Sequence, residues 1–264
     1  MTGLFITWNP DPEIFNIGGF GVRWYGLLFA LGFVFGYIII KKMFVRENIP
    51  LKELDSLTMY MIVGTVVGAR LGHCFFYEPQ YYIENPLEIL NLRQGGLASH
   101  GAAIGIVTSL ILFALKFKRN IFWIIDRIVI VVALAGVLIR TGNLINSEII
   151  GSPSDLPWAF VFEQVDKVPR HPAQIYEALA YLLFFAFMYF MYNKKGWGEK
   201  RGLLFGTFLL TIFGFRLFVE FFKEVQVEFE QDMSLNMGQW LSIPLILAGI
   251  GLIVYAVTSR KKTV

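Results

Sequence analysis

Charge is scarce in this chain, and cysteine and histidine are scarcer. Of its 264 residues, 16% are Asp, Glu, Lys or Arg, where an average soluble protein carries about 25%. The net charge of +3 is too small to call for a nucleic acid partner. The single cysteine, Cys74, excludes an internal disulfide framework and any cysteine-rich metal site. The three histidines, His73, His100 and His171, show no H-x-x-x-H or H-E-x-x-H spacing, so no metal centre is expected. No G-x-S-x-G marks a serine hydrolase. No internal repeat or low-complexity segment stands out. The N-terminal run M-T-G-L-F-I-T-W-N-P lacks the basic stretch of a cleavable signal peptide, and the first long apolar run comes late.

What fills the chain instead is apolar: 56% of residues are hydrophobic and 26 are phenylalanine. That composition predicts a multispanning membrane protein. A helix needs about 20 mostly apolar residues to cross the hydrocarbon core. Seven stretches qualify, near residues 20–40, 56–77, 97–115, 121–139, 172–192, 202–222 and 238–258. The fourth is interrupted by Asp126 and Arg127 in its first turns. The expected fold class is therefore all-α, a polytopic protein of seven transmembrane helices in one domain, residues 1–264.

Lysine and arginine in the connections set the expected orientation. Lys41, Lys42, Arg46, Lys52, Lys116, Lys118, Arg119, Lys194, Lys195, Lys200, Arg201, Arg260, Lys261 and Lys262 fall on one side. The other side has Arg93, Arg140, Lys167, Arg170 and Lys223. The bias places the N-terminus outside and the C-terminus in the cytoplasm. Arg23, Trp24, Tyr25, Arg70, His73, Ser99, His100, Arg140, His171, Gln174, Glu177, Arg216 and Glu220 then all lie toward the outer side. Apart from Asp126 and Arg127, the ionisable groups at span depth share that side, which predicts an outward-facing polar cavity. Helical spacing agrees. Arg216 and Glu220 are i, i+4 and can pair; Arg70 and His73 are i, i+3; His171, Gln174 and Glu177 step by three. Taken one at a time, such pairs are ordinary helix–helix polar contacts. Two outer connections carry structural signals of their own. Residues 78–96 contain the amphipathic run L-E-I-L-N-L and read as an interfacial segment. Residues 151–170 form a long extracytoplasmic loop.

The densest polar stretch is residues 139–151, I-R-T-G-N-L-I-N-S-E-I-I-G, where an apolar run ends in an arginine, two asparagines and a glutamate spaced by glycines. Arg140 offers a planar, permanently charged fork for phosphate or carboxylate. Asn143 and Asn146 add amide donors and acceptors. An anionic amphiphile such as a phospholipid suits this set, with apolar spans for its tails. On the residues alone, an enzyme and an anionic-lipid transporter or flippase both remain open. A transporter is expected to show repeats, broken helices and polar residues near the midplane, and none is evident. An intramembrane protease lacks a nucleophile motif.

The same stretch resembles the signature G-R-x-G-N-F-x-N-x-E-x-x-G of bacterial prolipoprotein diacylglyceryl transferases. Arg140, Gly142, Asn143, Asn146, Glu148 and Gly151 match; Ile139 stands where the signature has glycine, and Leu144 where it has phenylalanine. R-W-Y-G at 23–26, G-G-L-A-S-H-G-A-A-I-G at 95–105, R-H-P-A-Q-I-Y-E at 170–177 and F-R-L-F-V-E-F-F at 215–222 resemble the family in the same order. His73 departs from the family, which is expected to carry an aromatic such as tyrosine there. The resemblance implies seven spans, N-terminus out, in the bacterial cytoplasmic (inner) membrane. It implies transfer of the sn-1,2-diacylglyceryl group of phosphatidylglycerol to the lipobox cysteine of a prolipoprotein, forming a thioether and releasing glycerol 1-phosphate. It implies no metal and no organic cofactor; no nucleic acid partner and a monomer are the further expectations. His100, Arg140 and Arg216 are the implied catalytic residues, His100 as a candidate base for the thiol. A competing assignment gives His100 a lipid-binding role and leaves deprotonation to the arginine field. Tyr25, Arg70, Asn143, Asn146, Glu148 and Glu220 are expected to bind substrate, with Glu148 and Glu220 orienting the arginines. Gly142, Gly151, His171, Gln174 and Glu177 are expected behind them.

Overall fold

The computed structural model describes residues 5–18, 20–91, 95–224 and 233–259. Arg93 and the basic tail of Arg260, Lys261 and Lys262 lie outside the described residues. Among the described residues, seven helices are long and apolar enough to cross a membrane: α1 (Trp24–Arg46), α2 (Leu51–Phe76), α4 (Ser99–Phe117), α5 (Ile121–Ile145), α6 (Ala173–Lys195), the composite span Leu203–Phe222 and α9 (Met237–Thr258). The short α3 (Pro79–Glu84) follows α2. The composite span is α7 (Leu203–Phe208), a widened π turn over Leu209–Phe213, α8 (Gly214–Val219) and a tight turn over Glu220–Phe222. The chain is a polytopic membrane protein. Its large exposed apolar side chains, such as Val34, Leu183 and Leu247 on the spans, fit lipid as solvent.

Two expected boundaries shift in ways that shape the fold. Residues 20–23 are not helix but the strand β3 (Phe20–Arg23), paired antiparallel with β2 (Glu13–Ile17). A second small sheet joins β1 (Ile6–Trp8), β4 (Phe160–Phe162) and β5 (Pro169–Arg170), with β1 parallel and β5 antiparallel to β4. The fold is helical with these two sheets added, and the long loop 151–170 owes its structure to one of them. The fourth span does not stop at Ile139 either. It runs to Ile145, because Arg140 and Asn143 find side-chain partners and need no water.

By packing, the chain falls into two compact units, residues 1–36 with 126–264, and residues 37–125; the boundaries fall inside α1 and α5. In the smaller unit, α2 and α4 meet backbone to backbone. A Cβ added at Gly68 would lie 2.8 Å from Gly105 Cα, and one at Gly101 would lie 2.7 Å from Gly72 Cα. Small residues at such spacing let two spans approach where lipid offers no hydrophobic drive.

In the larger unit, Asp126 explains why a charge interrupts the fourth span. It is fully buried, and its carboxylate accepts from the backbone N–H groups of Gly202 at 2.7 Å and Phe205 at 2.8 Å. It thus satisfies donors at the start of α7 that no turn of helix could satisfy. Arg127 lies over the Tyr192 ring, 5.7 Å from its centroid. Asp126→Ala is expected to lower stability by about 1–3 kcal/mol through two orphaned N–H groups, read as a lower unfolding temperature in detergent, with an unchanged temperature as the contrary result.

Candidate functional site

The signature of α5, the first half of α6, the end of the composite span and the start of α9 build one polar cluster in the larger unit. Glu177 on α6 is its centre and is fully buried. Its Oε2 lies 2.9 Å from Arg140 Nε, a close ion pair without hydrogen-bond alignment. Its Oε1 accepts from Tyr181 Oη at 3.1 Å, one helical turn on, and from Lys223 Nζ at 3.2 Å. Lys223 Nζ also donates to Glu220 Oε1 at 2.9 Å. Asn236, which caps α9 with its side-chain oxygen, donates Nδ2 to Glu220 Oε2 at 3.1 Å. Arg216 Nε lies 3.5 Å from Glu220 Oε1, so the i, i+4 pair forms an ion pair without a hydrogen bond.

The asparagines extend this cluster along the signature. Arg140 Nη1 donates to Asn143 Oδ1 at 3.1 Å. Asn143 Nδ2 and Asn146 Nδ2 donate to the two oxygens of Glu148, at 3.0 and 3.1 Å. Gln174 Nε2 donates to the Glu148 carbonyl at 2.7 Å. The glycines give access. A Cβ at Gly142 would lie 2.7 Å from Tyr25 Cδ2, so Gly142 is where Tyr25, at the start of α1, settles on α5. Gly151 bonds backbone to backbone with His171, N to O at 3.0 Å, and bridges to Lys223. Arg170 braces the loop beside it. Its guanidinium holds Asp166 through Nη2 at 2.6 Å, pairs with Glu224, and donates to the Gly151 carbonyl at 3.3 Å. That bonding keeps the Asp166 carboxyl below the usual carboxylate range. Partial burial pulls the His171 imidazole below its ordinary value, so it is neutral at pH 7; its Nδ1 faces Tyr176 Oη at 3.2 Å.

The buried side-chain polar atoms that lack a hydrogen-bond partner among the described residues are Asn146 Oδ1, Ser147 Oγ, Gln174 Oε1, Glu177 Oε2 and Arg216 Nε. All belong to this cluster or its margin. Buried polar groups are normally satisfied, so their concentration here marks a place prepared for a ligand.

Tyr25, Arg140, Gly142, Asn143, Asn146, Glu148, Gly151, His171, Gln174, Glu177, Arg216 and Glu220 are thus brought into one unit. Arg70 and His100 lie in the other. Arg70 is buried and donates to four backbone carbonyls: Nε to Ile89 at 2.9 Å, Nη1 to Gly95 at 2.8 Å and Gly96 at 3.2 Å, and Nη2 to Glu88 at 2.6 Å. Four of its five N–H groups are thereby spent on the loop leading to α4. His100 is exposed in the first turn of α4. His73 packs as an aromatic ring, stacked on Tyr77 with centroids 5.7 Å apart.

Two partnerships differ from expectation. Glu177, rather than Glu148 or Glu220, is the carboxylate against Arg140; Glu148 reaches that arginine only through Asn143. Lys223, Tyr181 and Asn236 were not anticipated. Tyr181 had a readable signal, four residues beyond Glu177 on one helix face.

Comparison with known proteins gives this geometry a family. A sequence model described as prolipoprotein diacylglyceryl transferase matches residues 12–255. Among curated relatives, the phosphatidylglycerol–prolipoprotein diacylglyceryl transferase of Chloroherpeton thalassium is 47% identical over 261 residues, covering 98% of this chain and 97% of the relative. The protein of the same description from Bacteroides fragilis is 47% identical over 259 residues, covering 94% of each chain. That from Tolumonas auensis is 43% identical over 256 residues, covering 97% of this chain and 99% of the relative. With the match running from just before β2 into α9, this chain belongs to the prolipoprotein diacylglyceryl transferase family.

Proposed function

We propose that this protein transfers the sn-1,2-diacylglyceryl group of phosphatidylglycerol to the lipobox cysteine of a prolipoprotein. The thiol sulfur bonds to the glycerol carbon, the carbon–oxygen bond to phosphate breaks, the thiol proton is given up, and glycerol 1-phosphate leaves. The observation that carries the reading is the arginine pair. Arg140 is held by a buried carboxylate, and Arg216 has no hydrogen bond among the described residues and a side chain 39% exposed. Two guanidinium groups fit the phosphate and the charge that grows on it as the bond breaks. Asn143 and Asn146, steadied by Glu148, supply hydrogen bonds to the head group, and Tyr25 lines it. Gly142 and Gly151 let these elements approach, while His171, Gln174 and Glu177 hold them.

His100 takes the thiol proton as the general base. Arg70 serves by fixing the backbone of the loop that precedes His100. The chain acts as one catalytic domain, residues 1–264, supported by a family match that spans both packing units. It works as a monomer in the bacterial cytoplasmic (inner) membrane, N-terminus out and C-terminus in, with a polar cavity open to the outer side; the lysine and arginine asymmetry of the connections supports that topology.

Purified protein in phosphatidylglycerol vesicles with a lipobox peptide tests the proposal. The peptide is expected to gain one diacylglyceryl mass as glycerol phosphate is released, and a Cys→Ser peptide is expected to gain nothing. Folded protein that yields neither product, but moves lipid between leaflets, would replace the transferase with a flippase.

A further inference from the structure

Arg216 presents a puzzle. It stands one helical turn before Glu220, the spacing at which an arginine and a glutamate close into a hydrogen-bonded pair. Yet its Nε is buried without a hydrogen bond among the described residues, and the carboxylate oxygen waits 3.5 Å away. Both oxygens of Glu220 are already engaged: Oε1 takes Lys223 Nζ at 2.9 Å, and Oε2 takes Asn236 Nδ2 at 3.1 Å. Neither donor is free to wander. The Lys223 side chain is 3% exposed and is tied also to Glu177. Asn236 is fixed by reciprocal capping bonds with Gln239, Oδ1 accepting from Gln239 N at 2.8 Å and the Asn236 N–H donating to Gln239 Oε1 at 3.0 Å. A Cβ at Gly238 would lie 2.9 Å from Glu220 Cδ, so α9 also presses on the carboxylate itself.

We infer that Lys223 and Asn236 are positioning residues that hold Glu220 off Arg216, leaving the Arg216 guanidinium available to the phosphate of an anionic lipid. The electrostatics run the same way. Lys223 sets a buried cation against both Glu177 and Glu220, so the charge of Glu220 is answered by the lysine rather than by Arg216, and removing the lysine would leave the cluster one unit more negative and less attractive to a phosphate. The tight turn over Glu220–Phe222 makes this geometry possible, bringing Lys223 back beside Glu220 at i, i+3.

This inference rests on the proposed transferase reading, and its test separates the two. The steady-state constants for phosphatidylglycerol would be measured for wild type, Lys223→Met, Lys223→Arg and the double variant Lys223→Met/Glu220→Gln, each shown folded by its elution and unfolding temperature. In Lys223→Met, Glu220 is released onto Arg216, so KM is expected to rise on the order of tenfold or more, the cost of one lost bond to a charged group. In the double variant the neutral amide has no hold on the arginine, so much of that loss is recovered; Lys223→Arg retains most of the wild-type KM. Losses that simply add in the double variant, or a Lys223→Met KM equal to wild type, would overturn the inference while leaving the transferase reading intact. Wild-type protein that transfers nothing would overturn that reading. Binding of phosphatidylglycerol in detergent, ordered in the same way among the four proteins, would then still uphold the role of Lys223, and equal binding by all four would reject it.

Discussion

Arg140→Lys should cost nearly as much transferase activity as Arg140→Ala, on the order of 10²–10³-fold in each. The reason is geometric. One edge of the Arg140 guanidinium faces Glu177 through Nε at 2.9 Å, and Nη1 reaches Asn143 at 3.1 Å. The planar fork serves both at fixed angles. A lysine ammonium is a single charged point; it can neutralise Glu177 or meet Asn143, but it cannot span them and face a phosphate as well. Charge is kept and orientation is lost. Comparing kcat/KM for the two variants, at matched yields of folded protein, decides the matter. A lysine variant with full activity would reduce Arg140 to a source of charge.

Glu177→Leu should be the most destabilising substitution in the site, by about 3–5 kcal/mol. The side chain has no exposure, and its two oxygens face Arg140, Tyr181 and Lys223. Removing it leaves two cations facing each other in a place water reaches poorly, and breaking a buried pair costs more than the pair ever contributed. Glu177→Gln keeps the shape and the Tyr181 contact, so it should unfold at a temperature between wild type and the leucine variant. Thermal unfolding in detergent gives that order. If the leucine variant unfolds with wild type, the buried charges are solvated and the cluster is wetter than its geometry implies.

What was legible in the sequence followed from local spacing. The seven spans are written in runs of apolar residues, and the pairing of Arg216 with Glu220 follows from 3.6 residues per turn. The face shared by Gln174 and Glu177 was legible too, but not what it meets, since Arg140 lies 37 positions earlier and no periodicity links two helices. Lys223 was hidden for a different reason. A lysine just past a span counts as a loop charge, and only the tight turn over Glu220–Phe222 folds it back inside. The strands were hidden by their brevity. Three residues at Ile6–Trp8 pair with Phe160–Phe162, a partnership of distance that a local pattern does not record. Trp8 then donates Nε1 to the Leu144 carbonyl at 2.8 Å, tying that sheet to the end of α5. The end of α5 was misplaced because polar residues after an apolar run read as the start of a loop, while here each finds a partner and the helix continues.

Mutational losses alone show need, not place, so the most direct measurement follows the bond itself. Phosphatidylglycerol labelled in its diacylglyceryl half and, separately, in its head group would be offered with a lipobox peptide to wild type, Arg140→Ala and Arg216→Ala. The first label is expected to appear in the peptide and the second in free glycerol phosphate, in equal amounts, with both lost in the folded arginine variants. Equal transfer by wild type and the two variants would place the chemistry elsewhere in the chain and contradict the account.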